Sequence, residues 1–172
     1  MLPVLDRPGL RPTPNRVRET LFNWLGQDLN GWRCVDAFAG SGALGFEAAS
    51  RGAREVVLVE SSPVAQKILA ANITSLQALQ VQLIAGDAMH WLQLSHTPFD
   101  VVFIDPPYAS DLLAPVCARL EQQNLLTHRA KIYLECDAQR DLPPLPMNWQ
   151  IIRGKKAGQV GYYLAQRVAN AE

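Results

Sequence analysis

The segment Asp105-Pro106-Pro107-Tyr108 combines residue types that suit chemistry on an amine. It follows the apolar run 101–104, which predicts a buried strand. Because each proline removes a backbone donor and fixes φ, the chain must leave the sheet here, at the carboxyl end of a strand where open α/β sheets bind ligands. The Asp105 carboxylate and the Pro106 carbonyl would then form a fixed pair of hydrogen-bond acceptors, with the ring of Tyr108 beside them.

Such a pair of acceptors suits a planar base that carries an exocyclic amine. The lone pair of this amine is delocalised into the base, so the nitrogen is a poor nucleophile. Hydrogen bonds from its two N–H groups to Asp105 and Pro106 would favour a pyramidal nitrogen and direct the lone pair at an electrophile. Tyr108 would stack on the extruded base. The alternative interpretation is a capped strand-to-helix turn with Tyr108 as a packing residue, and these four residues alone do not decide between the two.

A glycine-rich segment, Gly40 to Gly45, matches the pattern GxGxxG and follows a strand predicted at 34–38. The pattern usually indicates a dinucleotide, whose pyrophosphate sits on the helix N-terminus. Asp36 argues against a dinucleotide, because a carboxylate at that strand end would repel a pyrophosphate and attract an ammonium group. S-adenosylmethionine carries an ammonium and a sulfonium but no phosphate. Glu60, at the end of the next strand, would accept both ribose hydroxyls, as the same acid does in dinucleotide folds.

Asp87 supplies another acid at a strand end, where it would accept from the adenine amino group with the Ala88 N–H near the ring edge. Each acid alone is explained as a turn or cap former. Four acids at the ends of four strands are harder to attribute to turn chemistry: Asp36, Glu60, Asp87 and Asp105. Packing remains the simpler interpretation of Phe38. The predicted cofactor-binding residues are Asp36, Phe38, Ala39, Gly40, Gly42, Glu60, Asp87 and Ala88.

The elements that must position these residues alternate between strand and helix. Strands are predicted at 34–38, 55–60, 81–84, 99–104 and 132–136. Helices are predicted at 13–27, from the glycine-rich turn to about 51–52, and at 63–78, 89–94 and 110–123. This alternation predicts an α/β fold with a doubly wound, mostly parallel sheet. A C-terminal hairpin of 149–153 and 160–166, turning at 154–158, would add an antiparallel pair and bring the sheet to seven strands. The 172 residues fit a single domain, with an extended basic arm at 1–12 and an N-terminal helix at 13–27.

Composition excludes several classes of protein. The net charge of zero argues against a strongly basic nucleic-acid binder, but residues 34–119 hold four Lys/Arg against eight Asp/Glu and both flanks are mildly basic. No apolar run reaches the length of a membrane span and no signal peptide is recognisable, so we expect a cytoplasmic protein. The three cysteines and three histidines lack metal-ligand spacing, so no metal is expected. Because no exposed apolar stripe stands out, we expect a monomer.

With these residues placed, the sequence resembles class I S-adenosylmethionine-dependent methyltransferases of Rossmann-like fold. More narrowly, it resembles the bacterial small-subunit ribosomal RNA guanine-N2 methyltransferases, the RsmD family. The segments that carry the resemblance are 11–13 (RPT), 16–25 (RVRETLFNWL), 36–45 (DAFAGSGALG), 105–108 (DPPY) and 156–160 (KAGQV). The DPPY turn marks amino methylation in general, whereas RVRETLFNWL is more specific to the family. Family members usually carry a basic, glycine-containing hairpin before the RPT segment, and a chain without it would make fewer phosphate contacts.

The resemblance implies methylation of the 2-amino group of one guanine, at position 966, in the 16S rRNA of the small ribosomal subunit. Asp105, Pro106 and Tyr108 would be the catalytic residues. The residues expected to contact RNA are Arg11, Arg16, Arg18, Pro107, Tyr108, Lys155 and Lys156; for the helix arginines, ordinary solvated positions are the alternative. Other activities remain open from the sequence: a DNA adenine-N6 or protein-amine methyltransferase, an NAD-dependent oxidoreductase, and a non-catalytic RNA-binding module.

Overall fold

A computed structural model describes residues 15–94, 96–107 and 110–168 of the chain. The strands in these ranges are β1 (Arg33–Asp36), β2 (Glu55–Glu60), β3 (Val81–Ala85), β4 (Phe99–Ile104), β5 (Leu126–Asp137), β6 (Trp149–Ala157) and β7 (Val160–Arg167). They form one seven-stranded sheet in the order β3-β2-β1-β4-β5-β7-β6. The pairs from β3 to β5 are parallel, and β7 runs antiparallel to both β5 and β6. The predicted mostly parallel sheet with an antiparallel C-terminal hairpin is confirmed.

Five helices of the described chain cover the two faces of this sheet. They are α1 (Asn15–Leu25), α2 (Ala43–Ser50), α3 (Pro63–Ser75), α4 (Ala88–Trp91) and α5 (Leu113–Gln122). Buried side chains of α1, α2 and α3 pack on one face, which we call the α1 face, and those of α4 and α5 pack on the other. Burial on both faces explains why the strands β2 and β4 are almost continuously apolar. No helix in the described part of the chain is long and apolar enough to cross a membrane.

The strand order reverses between β1 and β4, which creates a switch point at the carboxyl edge of the sheet. The chain moves outward from β1 to β2 and β3, then returns to place β4 on the other side of β1. The connections that follow β1 and β4 therefore diverge and leave a crevice between them. Open α/β sheets bind their ligands in this crevice.

The first helix, α1, ends two residues earlier than the sequence predicts. Its apolar stripe is buried as expected, and Trp24 stacks on Tyr162 with ring centroids 5.3 Å apart, which places α1 over β7. Gly26 adopts φ +105° and its N–H donates to the Phe22 carbonyl at 2.9 Å, so a left-handed residue closes the helix after Leu25. The predicted end at residue 27 was wrong. The predicted start at 13 and the arm at 1–12 lie outside the described residues.

Three strand boundaries differ from the predictions by more than one residue. β5 begins at Leu126, six residues before the predicted start at 132. β1 stops at Asp36 because the Phe38 N–H donates to the Asp36 carboxylate at 3.2 Å, so the chain turns there. β6 continues through Gly154 to Ala157, and the hairpin turns at Gly158, where φ is +59°. A Cβ at Gly154 would lie 2.8 Å from the Tyr163 ring. This glycine therefore serves the close approach of an aromatic ring within a strand and does not mark the turn.

Candidate active site

The structure places all four predicted strand-end acids at the carboxyl edge of the parallel strands. Asp36 and Glu60 are the last residues of β1 and β2, Asp87 comes two residues after β3, and Asp105 directly follows β4. Their surroundings differ. Asp36 and Glu60 are 2% and 6% exposed, whereas Asp105 is half-buried and Asp87 is exposed. The edge therefore has a buried acidic part at β1 and β2 and more open acids on either side of it.

The glycine-rich turn between β1 and α2 is held in a conformation that requires glycine. Gly40 and Gly42 adopt φ +56° and +82°. A Cβ at Gly42 would lie 2.6 Å from side-chain carbons of both Leu69 and Phe46. The Ala39 N–H donates to the Val59 carbonyl at 2.9 Å, which ties the turn to β2. The two glycines therefore allow the turn to pack closely against α2, α3 and β2.

Glu60 stabilises the glycine-rich turn and also lies at the carboxyl edge of the sheet. One carboxylate oxygen accepts from the Gly40 N–H at 3.0 Å and the other from the Ser62 N–H at 2.9 Å. A carboxylate oxygen has more than one acceptor site, so these bonds are compatible with accepting ribose hydroxyls. The Gly40 N–H points at Glu60, so it does not serve as a donor for a pyrophosphate. This contact weakens the dinucleotide interpretation of the glycine pattern.

Asp36 makes the inner part of the edge strongly favourable for a cation. The pKa of this carboxyl is raised to about 7, chiefly by burial, with the hydrogen bond from the Phe38 N–H opposing the rise and the nearby carboxylates of Glu60 and Glu135 adding to it. A positive group at this position would relieve the repulsion among the three acids. These carboxylates thus fit the ammonium and sulfonium of S-adenosylmethionine and do not fit a pyrophosphate.

The remaining predicted cofactor residues lie around this centre. Asp87 caps α4, since its carboxylate accepts from the His90 N–H at 3.0 Å. Ala88 and Ala39 are buried. Phe38 is half-buried and packs against the core on the α4 and α5 side of the sheet. The cap at Asp87 and the packing of Phe38 are the structural roles that the sequence left open, and both are present.

The turn after β4 brings Asp105 toward the same side of the sheet as Asp36. Asp105 and Pro106 are half-buried and Pro107 is exposed. The Asp105 carboxylate is one of the charges that raise the pKa of Tyr133, after burial and Glu135, so the three groups are close to one another. Tyr108, the predicted stacking residue, lies outside the described residues.

Tyr133 and Glu135 of β5 lie close to Asp36 and Asp105, and the sequence analysis did not single them out. The Tyr133 hydroxyl donates to a Glu135 carboxylate oxygen at 2.8 Å, and Glu135 is 7% exposed. The sequence contained a signal for this pair, because an acid within the apolar run 132–136 of a buried strand needs a polar partner. Only the fold shows that the partner is two residues away on the same face and that Asp36 is nearby.

The predicted RNA-contacting residues are divided between two faces. Arg16 is exposed on α1, and the Arg18 guanidinium donates to Asn15 at 3.1 Å. Lys155 pairs with Tyr162, whose ring lies under α1, so Lys155 projects on the same face as that helix. Lys156 projects on the opposite face because successive strand residues alternate. Arg11 lies outside the described residues.

In the described ranges, no group of three or more His, Cys, Asp and Glu side chains is arranged to hold a metal ion. The acids at the carboxyl edge instead lie in a row along the strand ends, and Asp36 and Glu60 are occupied by backbone N–H groups.

A reversed, doubly wound sheet with an antiparallel β7 inserted between β5 and β6 is the Rossmann-like fold of class I methyltransferases, and the acidic switch point is where that fold binds its ligands. A family model described as "Conserved hypothetical protein 95" matches residues 1–166. Ribosomal RNA small subunit methyltransferase D of Escherichia coli K12 is 45% identical over 171 residues, 99% of this chain and 86% of its own length. The chain belongs to this family, the RsmD family.

Two further similarities extend over nearly the whole chain. Ribosomal RNA small subunit methyltransferase D of Haemophilus influenzae is 41% identical over 169 residues, which cover 96% of this chain and 87% of that protein. The solved structure of a methyltransferase candidate from Escherichia coli, yhhF, superposes with a TM-score of 0.90 at 42% identity, covering 98% of this chain and 92% of that one. The fold is thus shared with relatives of substantial sequence identity.

Proposed function

We propose that this chain uses S-adenosylmethionine to methylate the exocyclic 2-amino group of one guanine, at position 966, in the 16S rRNA of the small ribosomal subunit. The observation that carries the proposal is the position of two different acidic sites at one switch point. A buried cation-attracting site lies at β1 and β2, and a rigid pair of acceptors follows β4. The names of the relatives, ribosomal RNA small subunit methyltransferases, support RNA of this subunit as the substrate.

The inner acids and the glycine-rich turn would hold the cofactor, which supplies an electrophilic methyl group on a positively charged sulfur. Asp36 would accept from the ammonium and Glu60 from the ribose hydroxyls. Asp87 and the Ala88 N–H would contact the adenine ring, and the tight backbone at Gly40 and Gly42 would allow the close approach. Each role uses a group that lies at the carboxyl edge of β1, β2 or β3.

The turn after β4 would orient the substrate amine. The Asp105 carboxylate and the Pro106 carbonyl accept its two N–H groups and direct the lone pair toward the methyl donor. The amine needs no prior deprotonation, because its nitrogen becomes acidic once it is methylated. Asp105 or solvent then takes the proton. Arg16, Arg18 and Lys155 would meet phosphates on the α1 face, with Arg11, Pro107, Tyr108 and Lys156 as further RNA contacts of a cytoplasmic monomer.

Tritium transfer from labelled cofactor into four substrates tests the class of substrate: small subunits, naked 16S RNA, DNA and protein. The proposal expects incorporation into one or both RNA-containing substrates, and mass mapping should place the label on the 2-amino group of a guanine at position 966. Label in DNA adenine or in protein would contradict it. Tight NADH binding without any binding of adenosylhomocysteine would contradict the cofactor assignment.

Asp105→Ala tests the role of the turn. The variant should lose at least ~1,000-fold in methyl transfer because an orienting acceptor acts on the transition state. Its affinity for adenosylhomocysteine should stay within about threefold, since the cofactor site is built from other strand ends. Asp28→Asn, an exposed carboxylate beyond the end of α1, is the control and should retain full activity. Undiminished turnover of Asp105→Ala would refute the assignment.

A further inference from the structure

Glu135 lies next to the catalytic turn although it belongs to a different strand. Ile104 and Leu134 are partners in the parallel ladder of β4 and β5, so the next positions in register are Asp105 and Glu135. Adjacent strands are about 4.8 Å apart, and paired residues share a face. The preceding pair on that face, Phe103 and Tyr133, is in ring contact with centroids 6.4 Å apart. Glu135 therefore continues the row that holds Asp105.

The carboxylate of Glu135 is fixed by the side chains around it. The Tyr133 hydroxyl donates to one oxygen of Glu135 at 2.8 Å. Tyr162 of β7 lies opposite Glu135 in the antiparallel ladder. Tyr162 is itself held under Trp24 of α1. At 7% exposure, Glu135 is buried on the α1 face, in register with the turn after β4. An ionised carboxylate only accepts hydrogen bonds, so this position suits a donor and disfavours another acceptor.

The hydrogen-bonding edge of guanine matches two acidic groups in adjacent strands. Guanine presents its N1–H and its 2-amino group side by side, so both neighbouring positions are donors. Adenine presents its amino group beside an N1 lone pair, which a desolvated carboxylate would repel. A buried polar group that is left without its partner costs about 1–3 kcal/mol, and more when it is charged.

We propose that Glu135 is a specificity-determining residue that accepts a hydrogen bond from N1–H of the target guanine while Asp105 and Pro106 hold its 2-amino group. This inference rests on the proposed function, because it requires guanine as the methylated base. Tyr133 is a positioning residue for it: its hydroxyl restricts the Glu135 carboxylate to one orientation. The substrate class recognised is then a purine with contiguous donors at N1 and N2.

The test compares two RNAs, in whichever substrate form the tritium assay identifies, that carry guanosine or 2-aminopurine riboside at the target position. 2-Aminopurine keeps the 2-amino group but has an acceptor at N1. The wild-type protein should prefer guanosine by ~30-fold or more in kcat/KM, as expected for the loss of a specific hydrogen bond to a base edge. Glu135→Gln offers either an amide donor or an acceptor, so its preference should fall to within about threefold.

Two variants sharpen the comparison. Tyr133→Phe leaves the carboxylate in place without its hydroxyl donor, so its preference should lie between those of the wild type and Glu135→Gln. Asp28→Asn makes the same carboxylate-to-amide type of change at an exposed position and should keep the full preference. If Glu135→Gln transfers methyl to neither RNA, the ratio of binding affinities in the presence of adenosylhomocysteine should show the same fall.

The outcomes separate this inference from the proposed function. If the wild type methylates guanine and Glu135→Gln retains the wild-type preference in both turnover and binding, the role of Glu135 is refuted while the proposed function stands. An effect confined to the KM for S-adenosylmethionine would also refute it and assign Glu135 to the cofactor site. A wild-type protein that does not methylate guanine would overturn both.

Discussion

Replacing Asp36 with asparagine should stabilise the protein, and increasingly so as the pH rises. The folded state raises the pKa of this carboxyl from 3.8 to about 7, first through burial and then through the charges of Glu60 and Glu135. Ionisation is therefore easier in the unfolded chain, which favours unfolding as the pH rises from 3.8 toward 7. Each pKa unit corresponds to about 1.4 kcal/mol, so the full effect is at most ~4 kcal/mol.

Urea unfolding of both proteins at pH 5 and pH 8 measures this effect. Asparagine resembles the protonated acid and keeps an oxygen that can accept from the Phe38 N–H. The advantage of Asp36→Asn over the wild type in free energy of unfolding should grow by roughly 2.5 kcal/mol between these two pH values. Because all other titrating groups are common to both proteins, they largely cancel in the difference. An advantage that is equal at both pH values would refute the reasoning.

Cofactor binding should show the opposite dependence on pH. An ammonium group binds best to the ionised carboxylate, so the affinity of the wild-type protein for adenosylhomocysteine should rise about tenfold between pH 6 and pH 8. Asp36→Asn should bind weakly and with little change over this range. Calorimetry at both pH values gives the result. A wild-type affinity that is independent of pH would indicate that the ammonium does not meet Asp36.

Two other contacts give further predictions. Gly42→Ala should destabilise the protein by about 1–3 kcal/mol more than Gly31→Ala in thermal unfolding. Both glycines have φ near +80°, but only at Gly42 would a Cβ lie 2.6 Å from Leu69. Gly42→Ala should also weaken adenosylhomocysteine binding. Equal losses in the two variants would contradict the tight packing of the turn. Glu121→Gln should cost about 1–3 kcal/mol near neutral pH in urea unfolding, since the Glu121 carboxylate accepts from Arg167 at 2.7 Å. The hydrogen bonds that the Glu121 carboxylate accepts lower its pKa despite burial. The cost of the substitution should therefore shrink as the pH falls through and below 4.5. A cost that is unchanged at about pH 3 would contradict this.

The edge of the sheet that carries the site was predictable from the sequence because buried parallel strands are continuous apolar runs. The acids that follow those runs, such as Asp36 and Asp105, must then lie at the same edge. The hydrogen bond between Gly40 and Glu60 was not predictable, since it depends on how closely the turn packs against β2. The position of Glu135 beside Asp105 was not predictable, because the neighbours of an acid within a strand follow only from the register of β4 and β5.

The C-terminal hairpin shows a different limit of prediction from sequence. Gly154 and Gly158 both favour a turn when only local propensity is considered. The structure uses Gly158 for the turn and Gly154 for contact with the Tyr163 ring, so tertiary packing decides between two locally similar residues. The consequence for function is that Lys155 and Lys156 lie in a strand and project on opposite faces. An RNA that meets Lys155 on the α1 face would therefore have to pass around the edge strand β6 to contact Lys156 as well.

The row of acids on the α1 face is costly for the fold, and this cost is informative about function. Asp36, Glu60 and Glu135 are all buried, and the charges of Glu60 and Glu135 hinder the ionisation of Asp36. Packing alone would be served better by apolar side chains at these positions. Two kinds of ligand would relieve the repulsion at its two ends: a cation beside Asp36, and hydrogen-bond donors beside Asp105 and Glu135. A methyl donor with a positive charge and a purine with adjacent N–H groups would supply both.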